Sequence, residues 1–317
     1  MNTIIDRHAA HVLSIGQAAN APPFELGTPA QARIDYIAGL PILQGVRDAV
    51  ASVEDRVLKT ADGELTVRIY RGTGAPPQDA PSLLYLHGGG WVIGNLISHD
   101  EICRWFANEA GCVVVCPDYR LAPEHKFPAG LTDCLDVLHF MANSATDLGI
   151  DPQRIAVSGD SAGGNLASVV ALFSRSDHVP AVAAQLLFYP NTDATQTADS
   201  YRHYSEGFGL TAATMRWFRE HYIRTPDDIT DWRVSPLRAD SLADAPPAFI
   251  ALAGLDILKD EGTAYGVRLQ QEGVRVISRL WPGQIHGFVS MGRHIPAARE
   301  AVVEAVAAWR SLEVLKV

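Results

Sequence analysis

Residues 154–173 hold the feature that most constrains this chain. The apolar run Arg154–Ser158 is followed at once by Gly159-Asp160-Ser161-Ala162-Gly163, and then by the helix-forming stretch Ala162–Phe173. A strand that turns into a helix within a few residues forces the turn residue into strained backbone angles. The flanking glycines are needed because side chains there would collide. The turn would present the Ser161 hydroxyl at a helix N-terminus, where the dipole favours developing negative charge. Gly-x-Ser-x-Gly alone is a weak signal in a chain with 26 glycines. Its placement between a buried strand and a helix makes it specific.

A second glycine cluster stands upstream. His87-Gly88-Gly89-Gly90-Trp91 ends the apolar run Ser82–Leu86. Three glycines let backbone N–H groups come close to an oxyanion. The turn around Ser161 would supply one more such donor, the N–H of Ala162. A serine nucleophile also needs a base, and the base an orienting acid, in the chain order Ser, acid, His. His286, in Pro282-Gly283-Gln284-Ile285-His286-Gly287-Phe288, follows the apolar run Val274–Leu280 and is the expected base. His294 is its main rival but reads as the opening of the last helix. Asp256 follows the run Ala248–Ala253 and is the expected acid. Asp260 and Glu261 read as the solvated, charged start of a helix.

The rest of the chain supports a layered α/β architecture. Apolar runs at Ser82–Leu86, Cys112–Cys116, Arg154–Ser158, Ala184–Tyr189, Ala248–Ala253 and Val274–Leu280 alternate with helical stretches near 98–110, 128–146, 162–175, 260–272 and 296–313. That alternation implies a mostly parallel sheet covered on both faces. Val57–Thr60 and Leu65–Tyr70, joined through Asp62-Gly63, read as a hairpin adding an antiparallel edge, with Asp-Gly supplying positive φ angles. The first 50 residues are helix-like, with turns near Pro22-Pro23 and Pro41, and with Thr28 capping a helix that starts at Pro29. Residues 194–230 are rich in aromatics without a clear strand. They are expected to join residues 1–50 as a helical cap over a catalytic domain made of 51–193 and 231–317.

Composition removes other classes. The 317 residues carry 26 Lys and Arg against 36 Asp and Glu, a formal charge of −10, with no basic stripe to hold nucleic acid. No apolar stretch approaches the roughly 18 residues of a membrane span. Ala9–Ala21 ends like a signal cleavage site, but His11, Ser14 and Gln17 break its apolar run, so no secretory leader is expected. Cys112 and Cys116 lie in one strand, separated by roughly 13 Å, too far for a disulfide. With Cys103 and Cys134 they form no zinc pattern and read as reduced thiols in a cytoplasmic protein. The histidines show no paired metal spacing. No cofactor and no metal are expected.

The motifs together resemble the hormone-sensitive-lipase-like esterases, bacterial family IV of the α/β-hydrolase superfamily. The resemblance spans roughly residues 55–315. It rests on His87–Trp91, Asp118-Tyr119-Arg120-Leu121-Ala122-Pro123-Glu124, Asp151-Pro152-Gln153-Arg154, Gly159–Asn165, Ser235-Pro236-Leu237, Gly254-Leu255-Asp256 and His286-Gly287-Phe288. It implies an eight-stranded sheet under a helical cap, Ser161, Asp256 and His286 as triad, and Gly89, Gly90 and Ala162 as oxyanion donors. It also implies action on short- to medium-chain acyl esters. Asp256-Ile257-Leu258 departs from the family's usual Asp-Pro-Leu but keeps the acid. The implied partner is a small-molecule ester, with no nucleic acid and no stable membrane insertion; a homodimer is left open. Two other readings stay open on this scaffold: a non-catalytic receptor, and a hydrolase of aryl amides or carbamates.

Overall fold

The computed structural model describes residues 4–20 and 22–314. Its strands are β1 (Ser52–Thr60), β2 (Gly63–Arg71), β3 (Ala80–Leu86), β4 (Val113–Pro117), β5 (Ile150–Asp160), β6 (Gln185–Phe188), β7 (Ala248–Leu255) and β8 (Val276–Ile285). Its helices are α1 (Arg7–Ala19), α2 (Pro29–Leu43), α3 (Asp100–Ala110), α4 (Ala129–Asn143), α5 (Ala145–Leu148), α6 (Ala162–Phe173), α7 (Ser200–His203), α8 (Ala212–Tyr222), α9 (Lys259–Gln271) and α10 (Ala297–Val314). The strands form one sheet in the order β1-β2-β4-β3-β5-β6-β7-β8. β2 pairs antiparallel with both β1 and β4, and every pair from β4 to β8 is parallel.

The central strands β4, β6 and β7 are buried at every position because both of their faces are covered. Leu84 and Leu86 of β3 pack into one core with Val157 of β5 and with Val137 and Leu166 from α4 and α6. Leu83 and Tyr85 pack into the other, with Phe188 of β6, Phe106 of α3 and Trp309 of α10. Adjacent residues of a strand point to opposite faces, so one continuous apolar run feeds two cores. None of the described helices is long and apolar enough to cross a membrane.

Several boundaries differ from the sequence expectation. The hairpin turn is Ala61-Asp62, with Thr60 paired to Gly63, and of the expected Asp-Gly pair only Gly63 has a positive φ, 130°. Pro41 lies inside α2 and not in a turn. It falls in the last helical turn, so the hydrogen bond that its missing N–H removes from the ladder is lost only two residues before the helix ends at Leu43. β8 runs through Pro282 and Gly283 to Ile285, so His286 leaves the end of the strand directly. Its position at the sheet edge tolerates a proline. The Thr28 cap does form, accepting a hydrogen bond from Gln31 N at 3.2 Å, with Pro29 at the first helical position.

The two segments outside the alternating core meet each other. Thr214 Oγ1 of α8 donates to Glu25 Oε2 at 2.7 Å, bridging residues 189 apart. Arg33 of α2 donates to the carbonyls of Val92 and Ala122, both at 2.8 Å, and so fixes α2 beside the glycine loop that follows β3.

Candidate active site

β5 ends at Asp160 and α6 begins at Ala162, leaving Ser161 alone to make the turn at φ 55°, ψ −118°. A non-glycine residue in that region costs on the order of 1–3 kcal/mol and persists only where its surroundings enforce it. They do so here. Ser161 N donates to Phe188 O at 2.9 Å, while Ser161 O accepts from Asn165 N at 2.9 Å and Asn191 N at 3.2 Å. The flanking glycine is equally constrained: a Cβ on Gly163 would sit 2.0 Å from Leu86 O.

Ser161, His286 and Asp256 come together from the ends of β5, β8 and β7. His286 Nε2 lies 2.9 Å from Ser161 Oγ, and His286 Nδ1 lies 2.8 Å from Asp256 Oδ2. A carboxylate on Nδ1 requires a proton there, which leaves Nε2 as the acceptor facing the serine hydroxyl. Asp256 is buried, and its other oxygen accepts from Leu258 N at 2.9 Å. Leu258 N is an amide that the family's usual Asp-Pro-Leu would keep as well, so Ile257 in place of proline leaves this bond intact.

Gly89, Gly90 and Trp91 follow β3 with φ of 120°, 59° and 60°, folding the loop back toward α6. Among the described residues, the N–H groups of Gly89, Gly90 and Ala162 donate to no protein acceptor. Gly88 is different. Its N–H donates to Asp160 Oδ1 at 3.0 Å. The same carboxylate oxygen accepts from Tyr85 OH at 2.9 Å and lies 3.1 Å from His99 Nε2. Burial alone would raise the Asp160 pKa, but His99, Tyr85 and His87 together hold it below the ordinary carboxylate value. An ionised carboxylate thus joins the serine turn to the glycine loop. His87 stacks on Tyr119 at 4.2 Å, and Tyr119 OH donates to His87 O at 2.7 Å. Burial, with help from neighbouring His99, lowers the His87 pKa to about 3.

The rival residues fall elsewhere. The ring of His294, which lies before α10 and not at its opening, contacts Ile42 O at 2.9 Å. His221 Nδ1 contacts Trp217 O within α8. Glu261 corrects the sequence reading. It is buried, not solvated, and its Oε1 accepts from Thr192 N at 2.7 Å and Asp193 N at 3.3 Å. Asp260 accepts from Ser200 N at 2.8 Å. Both acids tie the start of α9 to the segment that leaves β6. Sequence reasoning also passed over Tyr189, which is buried with φ 34° and whose ring centroid lies 4.7 Å from that of His286. Among the described residues, no group of three or more His, Cys, Asp or Glu is arranged to hold a metal ion.

Residues 83–290 match a family model described as the alpha/beta hydrolase fold. The chain is 40% identical over 285 residues to the ethyl acetate hydrolase of Pseudomonas putida, covering 88% of each. It is 39% identical over 264 residues to the esterase LipI of Mycobacterium tuberculosis, covering 81% of each. Among solved structures, the hyperthermophilic esterase of the archaeon Pyrobaculum calidifontis superposes with a TM-score of 0.92 at 35% identity, covering 98% of this chain and 99% of that one. An ester-hydrolase from the metagenome of Lake Arreo, complexed with a bipyridine phosphonate derivative, superposes at 0.93 with 37% identity, covering 97% and 99%.

The class defined by these matches and by the eight-stranded sheet is the α/β-hydrolase fold. Within it the chain belongs to the hormone-sensitive-lipase-like esterases and is a carboxylic ester hydrolase.

Proposed function

We propose that the protein hydrolyses carboxylic esters of short to medium acyl chains through Ser161, His286 and Asp256, with Gly89, Gly90 and Ala162 as the oxyanion donors. The observation that carries this reading is the unbroken hydrogen-bonded chain from Ser161 Oγ through His286 to the buried Asp256. His286 Nε2 takes the hydroxyl proton as Ser161 Oγ attacks the ester carbonyl carbon. Asp256 holds the imidazole in the required tautomer and stabilises its charged form. The carbonyl oxygen, now an anion, meets the three free N–H groups. Losing one donor of an oxyanion hole typically costs about 3–4 kcal/mol of barrier. His286 then gives its proton to the alcohol oxygen, the carbon–oxygen bond breaks, and the alcohol leaves. Water repeats the sequence on the acyl-enzyme and releases the acid.

The name of the Pseudomonas putida relative, an ethyl acetate hydrolase, supports a short acyl group. Residues 1–50 and 194–230 act in this reading as a cap over the site, supported by the Glu25–Thr214 bond between them. Four buried thiols, Cys103, Cys112, Cys116 and Cys134, support a reducing compartment such as the cytoplasm. The test is stoichiometric labelling by an alkyl phosphonate ester. The expected result is one adduct per chain, mapped to Ser161 and absent in His286→Ala. Labelling at another residue, or none on folded protein, would contradict the assignment.

A further inference from the structure

A cavity of about 330 Å³ lies between the end of α2 and the loop that precedes α3. Ile37, Leu40, Pro41 and Ile97 give it aliphatic walls, and the side chains of Arg47 and Arg293 also line it. Ser161, His286, Asp256 and the oxyanion donors are not part of its lining.

The two arginines are held in place by the chain around them. A helix ends with open carbonyls, and Arg293 meets them at the end of α2: its N donates to Leu43 O at 3.0 Å and its Nε to Gln44 O at 2.8 Å. Gln44 is itself buried, with Nε2 donating to Ser98 O at 2.6 Å. Arg47 Nε lies 3.2 Å from Asp100 Oδ2. Each guanidinium is therefore anchored through Nε, and among the described residues neither makes a hydrogen bond through Nη1 or Nη2.

The nearby carboxylates leave positive charge over. Asp100 is 1% exposed and is shared, with Arg104 Nε at 2.7 Å, Tyr70 OH donating at 3.0 Å and Arg68 Nη1 at 3.7 Å. One negative charge thus faces three guanidiniums, of which Arg68 has a second carboxylate in Asp55. Glu101, next along α3, accepts from Gly45 N at 2.8 Å through Oε1, and its Oε2 has no partner, so it makes no ion pair with Arg293.

Guanidinium Nη groups bind carboxylates through paired, charge-assisted hydrogen bonds. The aliphatic walls call for an apolar body behind the charge, and the size suits a small molecule. We propose that this cavity binds a short aliphatic monocarboxylic acid, with its head on Arg47 and Arg293 and its tail on Ile37, Leu40, Pro41 and Ile97. Acids released by an esterase belong to this class. On the esterase reading above, the site therefore takes a product at a place apart from the triad.

Octanoate is the probe, used on protein whose Ser161 has been blocked with an alkyl phosphonate so that the catalytic site is filled. Calorimetric titration should show one octanoate per chain. Arg47→Gln and Arg293→Gln should each weaken binding by about tenfold or more. Octanol and inorganic phosphate each carry half of the recognised chemistry and should bind at least about tenfold more weakly than octanoate. Ile97 is 46% exposed, so the fold tolerates Ile97→Glu, which sets a negative charge in the wall and should weaken octanoate by a similar factor. That variant decides the matter if an arginine variant is unstable. The proposal is overturned if folded, blocked protein takes up no octanoate, if octanol or phosphate binds as tightly, or if the three substitutions leave the affinity unchanged. Failure of the phosphonate to label Ser161 would contradict the esterase reading instead, and the same substitutions would then test this site on unlabelled protein.

Discussion

Asp160 occupies one of the two positions that Gly-x-Ser-x-Gly leaves free, yet it carries the network around the nucleophile. Its partners Tyr85, Gly88 and His99 lie 61 to 75 residues earlier in the chain. No spacing rule could connect them, and His99 was set aside in the sequence as lacking a metal pattern. The glycines and Ser161 were legible because a tight turn imposes a local requirement. Beside this network, His87 is buried with a pKa lowered to about 3 from 6.5. The native state therefore refuses a proton that the unfolded chain takes up once the pH drops below 6.5. The stability that this neutral imidazole supports is full above pH 6.5 and declines as pH falls toward 3. By pH 5 the loss should reach about 2 kcal/mol. Urea unfolding of wild type and His87→Gln at pH 7.5, 6 and 5 checks this: the variant should lose less stability over the interval. Equal slopes would mean that His87 is not the group that titrates.

At the scale of elements, the sequence located helices and strands but not what their polar ends touch. The start of α9 looked like a solvated first turn because Asp260 and Glu261 are the residues that favour one. Glu261 is instead drawn inside to cap Thr192 N and Asp193 N, where the chain leaves β6. Burial raises its pKa well above the ordinary value, despite the two backbone donors, which favour the charged form. A neutral amide should therefore replace it well. Glu261→Gln is expected to keep nearly all of the stability, whereas Glu261→Ala leaves two buried N–H groups unpaired and should cost about 1–3 kcal/mol. Thermal unfolding of the two variants decides it, and a glutamine variant as unstable as the alanine one would show that the charge is needed. In α8, Phe218 and Tyr222 are one turn apart and meet Gly90 and Trp91, with the Tyr222 and Trp91 rings stacked at 4.2 Å. The aromatic richness of residues 201–222 was visible in the sequence. That two of these rings would clamp the glycine loop was not, because the contact joins segments about 130 residues apart.

For the whole molecule, the alternation of buried strands and helices was enough to indicate a mostly parallel sheet with both faces covered, because each apolar run has to fill two cores. The strand ends were less legible. The apolar run Val274–Leu280 stops short of Pro282 and Gly283, but an edge strand with one unpaired side accommodates them, and β8 continues to Ile285. This extension places His286 at the strand tip, level with Ser161 on β5 and Asp256 on β7. The packing of residues 1–50 was the least legible part. Few of its helical residues are buried, Ala9 and Val12 in α1 and Ala32 and Leu40 in α2, and polar contacts such as Arg33 to Val92 O add to them without a periodic trace. The most direct test of the account compares hydrolysis of p-nitrophenyl butyrate by wild type and Ser161→Ala, with both shown to be folded. Turnover by wild type and a fall of roughly 10⁴-fold or more in kcat for the variant is the expected result. Undiminished activity in Ser161→Ala would place the chemistry elsewhere and contradict the assignment of Ser161.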